Sequence, residues 1–286
     1  MGQCRSLSVS TEASNLIDSH CHFDFEVFDK HRQQTLKECV DLDIDGIVIP
    51  GIEPTQWNRL IQLQNAHTSG CHLWIALGVH PWWQGSVTLS EVEFKSQLAE
   101  QLERSSAVAI GECGLDGSIE ASVDSQQPIF EWQLQIACEF NKPLIIHAHR
   151  AHNQVMRLLA RYRPPAGGAI HGFSGSLELA QQYWRLGFYI GVGGTITYSR
   201  AQKTRQAIAQ LPLESLLLET DAPDMPLQGY QGQVNSPVQL ARVAATLAQL
   251  RGLSEAEVKL ACLLYPPSAA DEEASVTARG GPHDKT

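Results

Sequence analysis

Residues 189–223, YIGVGGTITYSRAQKTRQAIAQLPLESLLLETDAP, contain one complete unit of a pattern that repeats along this chain. The apolar segment YIGVGGT is followed by AQKTRQAIAQL, whose apolar residues recur at helical spacing. A second apolar segment, LLLETDAP, comes next. Alternation of short apolar strands with amphipathic helices is typical of a parallel sheet, so this unit predicts strand, helix and parallel strand.

The same alternation extends in both directions from this unit. Eight strands are predicted, at LIDSHCH, GIVIPG, LWIALGVHP, VAIGECGLD, PLIIHAH, GAIHGFS, YIGVGGT and LLLETDAP. Helical stretches are predicted between the strands, for example over 30–43, 54–68, 126–140, 176–186 and 200–210. Another helix follows over 238–250, and a last one begins after a capping box of Ser254 and Glu257. Eight such units predict an α/β fold of the (β/α)8 TIM-barrel type, with a doubly wound open sheet as the alternative.

The domain boundaries follow from where this pattern starts and fails. Residues 1–14 are polar and aperiodic, which predicts a flexible N-terminal extension before a barrel domain over 15–265. Residues 266–286 combine Pro, Ala, Gly and charges without an apolar face, which predicts a disordered tail.

The net charge and the cysteine content limit the kinds of binding partner and the cellular compartment that we expect. The net charge of −10 argues against tight, nonspecific duplex binding, although bound cations would supply positive charge in a nuclease. The seven cysteines are odd in number and none has CxxC spacing, which favours a reduced, cytoplasmic protein. Because no apolar run is long enough to span a bilayer, we expect no membrane partner. We also expect the protein to be a monomer.

Ionisable residues cluster where the predicted strands end, and in a parallel barrel those ends form the active-site face. Such residues on buried strands are costly unless they are paired or bound to metal. The set comprises His20, His22, His80, Glu112, Asp116, His147, His149, His171, Glu219 and Asp221.

A metal centre is the interpretation that accounts for most of this set. His20 and His22 are two residues apart on a predicted strand, so both imidazoles face one side and can reach one metal. Glu112 is a carboxylate that can bridge two cations. His147 and His171 follow apolar runs and supply nitrogen ligands for a second cation.

Two more residues have predicted roles beside the metals. Asp221 is expected to bind the first cation and to accept a proton from the nucleophilic water. His80 is expected to contact substrate phosphate, because the first cation already has a full set of ligands. The neighbouring Trp82 and Trp83 are candidates either for base stacking or for apolar cover of the barrel.

The chain resembles the TatD family of metal-dependent hydrolases, and in particular its YjjV-type branch. The motifs DSHCHFD, ALGVHP, AIGECGLD, IIHAHRAH, HGFSGS, GVGGTITY and LLLETDAPDMP match in order, over nearly the whole length from Leu16 to Val258. The resemblance implies a TIM barrel with two divalent cations (Mg, Mn or Zn) and deoxyribonuclease activity. It places His20, His22, Glu112 and Asp221 on one metal and Glu112, His147 and His171 on the other.

The chain departs from the family pattern at two places. Where the family has an Arg two positions after the strand-five His, this chain has His149, followed by Arg150. We expect His149 and Arg150 to contact substrate, with His149 as an additional metal ligand as the alternative. The second departure is CLLYPPSAADEEAS, which stands where the family has its closing helix.

Three functions are compatible with these residues. The leading one is phosphodiester hydrolysis, in DNA or another phosphodiester, by a hydroxide that bridges the two metals. The same centre suits amide, ester or lactone hydrolysis, because barrels of this shape host both chemistries. The third is a binding protein that keeps the barrel without turnover, which the intact ligand set argues against.

Overall fold

Eight parallel strands surrounded by helices form a (β/α)8 barrel, as the sequence predicts. The computed structural model describes residues 15–67 and 70–262. The strands β1 to β8 are Leu16–Asp18, Ile44–Pro50, His72–Leu77, Ala109–Asp116, Leu144–His149, Gly168–Ile170, Phe188–Val192 and Leu216–Leu218. The helices α1 to α9 of these residues are Arg32–Asp41, Trp57–Ala66, Glu91–Arg104, Val123–Glu139, His152–Tyr162, Leu177–Arg185, Gln202–Gln210, Leu240–Arg251 and Glu255–Cys262.

The strands pair in chain order from β1 to β8. The last strand contacts the first, which nearly closes the barrel. The Ser19 N–H donates to the Leu218 carbonyl across this seam at 2.9 Å. The buried Asp18 carboxylate accepts hydrogen bonds from the Thr220 N–H at 2.9 Å and from the Thr220 hydroxyl at 2.6 Å. A side-chain clamp therefore joins the two terminal strands where few ladder bonds are present.

Strand residues alternate between two apolar layers because successive side chains point to opposite faces. In β2, Ile47 and Ile49 pack with the helices, whereas Val48 belongs to a separate small cluster. That cluster also contains Ala76 and Ile145, from strands on which the flanking residues again face the helices. The small interior layer and the larger outer layer together explain why the strands read as continuous apolar runs.

Several strands end earlier than the sequence predicts. Strand β1 stops at Asp18, β3 at Leu77, β6 at Ile170 and β8 at Leu218, so the polar residues that follow lie in the loops. The prediction that His171 lies in strand six is therefore wrong by one residue. The backbone after these strands still bonds to neighbouring strands outside the regular ladder, as the Cys21 N–H does to the Val48 carbonyl and the His171 N–H to the Ile146 carbonyl.

The predicted helices agree with the structure to within a few residues, and the capping box before α9 is present. Ser254 Oγ accepts from the Glu257 N–H, and the Glu257 carboxylate accepts from the Ser254 N–H. The flexible segments predicted at 1–14 and 266–286 lie outside the described residues. Within 15–67 and 70–262, each helix is too short or too polar to cross a bilayer.

Candidate metal centre

The first group of candidate ligand atoms surrounds one carboxylate oxygen of Glu112, Oε2. Glu112 Oε2 is 3.2 Å from His20 Nε2 and 3.5 Å from His22 Nε2. Asp221 Oδ1 lies 3.4 Å and 3.6 Å from the same two nitrogens. Although β1 has ended, the backbone stays extended here: the Cys21 N–H donates to β2, and the Cys21 side chain is buried in the core. His20 and His22 therefore face the same side, as predicted.

The second group of candidate ligand atoms surrounds the other carboxylate oxygen of Glu112, Oε1. Glu112 Oε1 is 2.6 Å from His171 Nε2 and 3.2 Å from His147 Nδ1, and these two nitrogens are 3.1 Å apart. His147 turns its other nitrogen, Nε2, to Asp116 Oδ2 at 3.0 Å. A carboxylate on the outer nitrogen fixes the tautomer, because the N–H there leaves the Nδ1 lone pair free for a cation.

The approach of β4 to β5 at this point requires a glycine. Gly114 has φ of 138°, and a Cβ on it would lie 2.0 Å from the carbonyl oxygen of His147. Gly114 separates Glu112 from Asp116, so all three positions fall on one face of β4 by the two-residue period. The glycine thus allows both carboxylates to reach the same imidazole.

His80 also faces Glu112, but its ring is held differently. Its Nε2 lies 3.3 Å from Glu112 Oε1, and its Nδ1 accepts the Trp82 backbone N–H at 3.1 Å. Because Nδ1 is the acceptor, the neutral ring carries its proton on Nε2. His80 is thus set to donate a hydrogen bond rather than a lone pair.

Several imidazoles lie close to the Glu112 carboxylate, and their mutual interactions shift the pKa values of the metal-free centre. Burial alone would raise the pKa of Glu112, but His171 and other nearby rings hold it well below its usual range. Burial alone would lower the pKa of His171, but the charge and hydrogen bond of Glu112 raise it to about 10. Burial lowers the pKa of His22 to about 4 and raises that of Asp221 to about 7. A proton on His171 therefore balances the Glu112 carboxylate when no cation is bound.

The spacing of the donor atoms fits cations. Two atoms bound at about 2.0–2.1 Å to one tetrahedral cation lie roughly 3.4 Å apart. The Nε2 atoms of His20 and His22 are separated by 3.4 Å, and Nδ1 of His147 and Nε2 of His171 by 3.1 Å. Mixed imidazole and carboxylate donors suit Zn, Mn, Co or Ni as well as Mg. The residues present thus fit a centre for divalent cations.

His149 and Arg150 lie beside this cluster rather than in it. Both residues are exposed at the end of β5, and the His149 ring centroid is 6.4 Å from that of His147. His149 is absent from the groups of described residues whose donor atoms converge closely enough for one ion. Its position suits contact with a substrate entering over β5.

Two contacts at the centre were not predicted from the sequence. Asp116 was recognised only as a polar strand end, yet it orients His147 and also accepts from Trp82 Nε1 at 2.8 Å. The even spacing from Glu112 to Asp116 on β4 was the available signal. Trp82 is 60% exposed although its indole edge is held, so one aromatic face stays open to solvent.

Comparisons with known proteins identify a family of metal-dependent hydrolases. The family described as "TatD related DNase" matches residues 17–264. The uncharacterized metal-dependent hydrolase YjjV of Escherichia coli K12 is 43% identical, over 86% of this chain and 94% of that protein. The crystal structure of that protein superposes with a TM-score of 0.81, covering 87% of this chain and 95% of the other.

More distant relatives carry more specific names. A 3′-5′ ssDNA/RNA exonuclease TatD from a Pantoea species is 33% identical, over 68% of this chain and 75% of its own length. A TatD-family hydrolase from Entamoeba histolytica has a TM-score of 0.77 at 17% identity, over 87% and 95% of the two chains, which supports the fold alone.

Proposed function

The chain belongs to the TatD family of metal-dependent hydrolases, and on that basis we propose that it hydrolyses phosphodiesters in single-stranded nucleic acid, DNA first among them. The observation that supports the proposal most directly is the position of the Glu112 side chain. Its two carboxylate oxygens face different groups of imidazoles. A carboxylate placed in this way suits two cations roughly 3.5–4 Å apart, the spacing of two-metal phosphodiesterases.

The proposed ligands form two sets that share one residue. Glu112, His20, His22 and Asp221 would hold one cation, and Glu112, His147 and His171 would hold the other. When bound, the cations would stabilise the negative charge that develops on the phosphate and lower the pKa of water.

Asp221 is the proposed proton acceptor. Burial raises the pKa of its carboxyl to about 7, with Glu112 adding to the effect and His171 opposing it. Its Oδ1 faces the imidazoles of His20 and His22, which leaves Oδ2 to accept a proton from water when a cation is bound. Its side chain is partly exposed, so a water molecule has access to it.

Three side chains around the centre are suited to hold the phosphate. His80 presents an N–H at Nε2, since Nδ1 is occupied by the Trp82 backbone. Glu112 Oε1 lies 3.3 Å from this nitrogen, and a cation on Glu112 would leave the N–H to a phosphate oxygen. His149 and Arg150 extend the donor surface outward along β5. These assignments support positioning of an anionic substrate over the β4 and β5 ends of the barrel.

Trp82 favours nucleic acid over a small carbonyl substrate. Its exposed ring lies beside the centre and is fixed at its edge by Asp116. Stacking of an unpaired base on such a ring contributes about 1–3 kcal/mol and does not depend on sequence. The Pantoea relative, a 3′-5′ ssDNA/RNA exonuclease, supports the same substrate class.

Amide, ester or lactone hydrolysis and a non-catalytic role are the competing functions. Purified protein should be assayed for bound metal and, with each added metal, on bis-p-nitrophenyl phosphate, an oligonucleotide and a panel of esters and lactones. Metal-dependent cleavage of the phosphodiesters supports the proposal. Turnover of the ester or lactone panel alone would contradict it, as would no turnover of any substrate by metal-loaded protein.

Glu112→Gln tests the shared carboxylate directly. The substitution keeps the size but removes the charge between the two imidazole groups, so phosphodiester hydrolysis should fall at least about 10²-fold and bound metal should decrease. Glu139→Gln, an exposed position at the end of α4, is the matched control and should change neither. Full activity and full metal content in Glu112→Gln would contradict the assignment.

A further inference from the structure

Two arginines on the segments after β7 and β8 lie against tyrosine rings. Cζ of Arg200 is 5.0 Å from the centre of the Tyr198 ring, and Cζ of Arg242, in the first turn of α8, is 5.1 Å from that of Tyr230. Both arginines are exposed and both tyrosines are half-buried. A guanidinium held on an aromatic ring keeps its N–H edge and its outer face open to a ligand. We call these four residues the arginine surface.

Each of the two arginines lines a small cavity that contains no acidic side chain. Arg200 lines a cavity of about 250 Å³ together with Tyr198 and Met225, and Arg242 lines one of about 280 Å³ together with Tyr230. Among the described residues, none that lines either cavity is a carboxylate. Asp224 precedes Met225 in the chain, but it lines a separate cavity between the loops after β1, β2 and β8.

The positive charge of the arginine surface is therefore available to an anion. A third arginine on a tyrosine, Arg161 on Tyr162, shows the contrast, because its guanidinium also lies 3.6 Å from Glu131 Oε1. In a chain with a net charge of −10, two exposed cations without a carboxylate in their cavities form a local site of opposite sign. Such a site suits the phosphates of a polyanion.

Hydrogen bonds between the two loops hold the arginine surface in place. The Tyr198 hydroxyl donates to the Pro226 carbonyl at 2.6 Å, and the Gln228 N–H donates to Thr197 Oγ1 at 2.9 Å. The Ser199 N–H donates to Gln228 Oε1 at 3.1 Å. Because these bonds join the loop after β7 to the loop after β8, little ordering is left to occur when a ligand binds.

The arginine surface lies across the barrel mouth from Trp82. The strands β3 and β7 are four positions apart in a ring of eight, so the segments that follow them are on opposite sides of the mouth. Trp82 follows β3 and Tyr198 follows β7, and the imidazoles around Glu112 lie between these sides. A strand that passes from Trp82 over the metal centre therefore reaches the arginine surface.

We propose that the arginine surface is a second binding site for single-stranded nucleic acid, across the metal centre from Trp82. The N–H edges of Arg200 and Arg242 each bind a phosphate, and their outer faces stack on unpaired bases. This rests on the proposed phosphodiesterase function and adds that the substrate spans the barrel mouth. Nucleotides on both sides of the reacting linkage then contribute to affinity.

The first test removes the two charges and follows affinity against salt concentration. Metal-loaded protein is titrated into a fluorescein-labelled, phosphorothioate-linked strand of about twelve thymidines, which resists cleavage, and fluorescence anisotropy gives Kd. Each phosphate neutralised on a single strand contributes about 0.7 to the slope of log K against log salt, so Arg200→Gln with Arg242→Gln should lower that slope by about 1.4. Kd at low salt should rise at least about fivefold. An unchanged slope and an unchanged Kd would overturn the proposal.

Arg104→Gln with Arg161→Gln is the matched control. Both arginines are at the C-terminal ends of their helices, α3 and α5, which is the other end of the barrel, and they pair with Glu100 and Glu131. The control makes the same change in net charge, and at Arg161 it also removes a guanidinium from a tyrosine ring. It should leave the slope and Kd unchanged. Equal losses in the two variants would show that net charge alone is responsible and would overturn the proposal.

The role of the bases is tested with an abasic strand of the same length and charge. The unsubstituted protein should bind the thymidine strand at least about fivefold more tightly than the abasic strand. Arg200→Lys with Arg242→Lys keeps the charge but lacks the flat guanidinium face, so it should narrow this ratio at least about twofold. Equal affinity of the unsubstituted protein for the two strands would indicate binding of any polyanion and would overturn the assignment to nucleic acid.

Hydrolysis separates this proposal from the function on which it rests. Bis-p-nitrophenyl phosphate has one linkage and no neighbouring nucleotides, so Arg200→Gln with Arg242→Gln should lower the ratio of kcat/KM on an oligonucleotide to kcat/KM on this diester at least about fivefold. An unchanged ratio together with hydrolysis of both substrates would overturn the role of the arginine surface alone. If metal-loaded protein hydrolyses neither substrate, the proposed function is overturned, and the salt slope still decides whether the arginine surface binds nucleic acid.

Discussion

At the scale of single residues, a contact on the outer nitrogen of His147 and of His80 determines which atom of each ring faces the centre. Asp116 occupies Nε2 of His147, so that ring offers the lone pair of Nδ1. The Trp82 backbone occupies Nδ1 of His80, so that ring offers an N–H. Two histidines that both lie near Glu112 are thereby set for different tasks, one as a ligand and one as a donor.

Cation binding should release a proton from His171. Its pKa of about 10 in the metal-free protein means that the ring is protonated at neutral pH, because Glu112 overcomes the effect of burial. A ligand nitrogen must be deprotonated, so affinity should rise with pH up to about that value and fall as the pH is lowered. Calorimetric titration with Mn²⁺ between about pH 6.5 and 8.5 should show roughly one proton or more released per protein. Binding that is independent of pH would contradict this assignment.

His149→Arg should tighten substrate binding without affecting the metals. Arginine is charged at all working pH values and binds phosphate oxygens in pairs, so KM for an oligonucleotide should fall by about threefold or more. His72→Arg introduces the same change at the start of β3, the other end of the barrel, and should leave KM unchanged. Loss of bound metal in His149→Arg would instead identify His149 as a ligand.

The sequence predicts the residues of the centre better than their contacts. The prediction that His20, His22, Glu112, His147, His171 and Asp221 lie together agrees with the geometry, because each follows or ends a strand of one parallel barrel. The link from Trp82 through Asp116 to His147 depends on side-chain directions between the segment after β3 and the strands β4 and β5, which strand periodicity does not determine.

At the scale of secondary-structure elements, the seam between β1 and β8 depends on side chains more than the other seams do. Both strands have three residues, and the ordered backbone beyond them is fixed by Asp18 and Thr220. Burial raises the pKa of Asp18 to about 7, and the bonds from Thr220 oppose that rise. The loops that carry His20 and Asp221 begin at this clamp, so it positions one edge of the metal centre.

Thr220→Val tests the clamp. The substitution keeps the shape but removes the hydroxyl that donates to Asp18, so a buried acceptor loses a partner and the free energy of unfolding should fall by about 1–3 kcal/mol. Thr246→Val is the matched control, since the Thr246 hydroxyl donates to the Arg242 carbonyl of its own helix, and its effect should stay within about 0.5 kcal/mol. Urea unfolding followed by circular dichroism measures both. Equal stability of the two variants would show that the clamp contributes little.

At the scale of the whole molecule, the barrel was predictable because each strand and helix has its own periodic signal. Strand ends were less predictable: the ladder stops at Asp18 and Leu218, yet the apolar and extended pattern continues for several residues. The cavity of about 830 Å³ between the loops after β1, β2 and β8 had no signal in the sequence, since its residues come from three separate loops. Such a surface exists only after the barrel has brought these loops to one side of its mouth.

The metal centre should also stabilise the whole barrel, since its ligands come from β4 and β5 and from the loops after β1, β6 and β8. A cation that binds only the folded chain adds about 2.7 kcal/mol when its concentration is 100 times its Kd. In a domain of this size that corresponds to a rise in Tm of roughly 5–10 °C. Differential scanning calorimetry with Mn²⁺ and after chelation should show this difference.

Glu112→Gln separates this effect from nonspecific ion binding. Because Glu112 contacts both groups of imidazoles, the variant should lose most of the cation-dependent rise in Tm, while its Tm after chelation reports any change in the fold itself. Glu139→Gln should keep the full rise. If the unsubstituted protein has the same Tm with and without a cation at a concentration that supports hydrolysis, the ligands do not act as one centre across the strands.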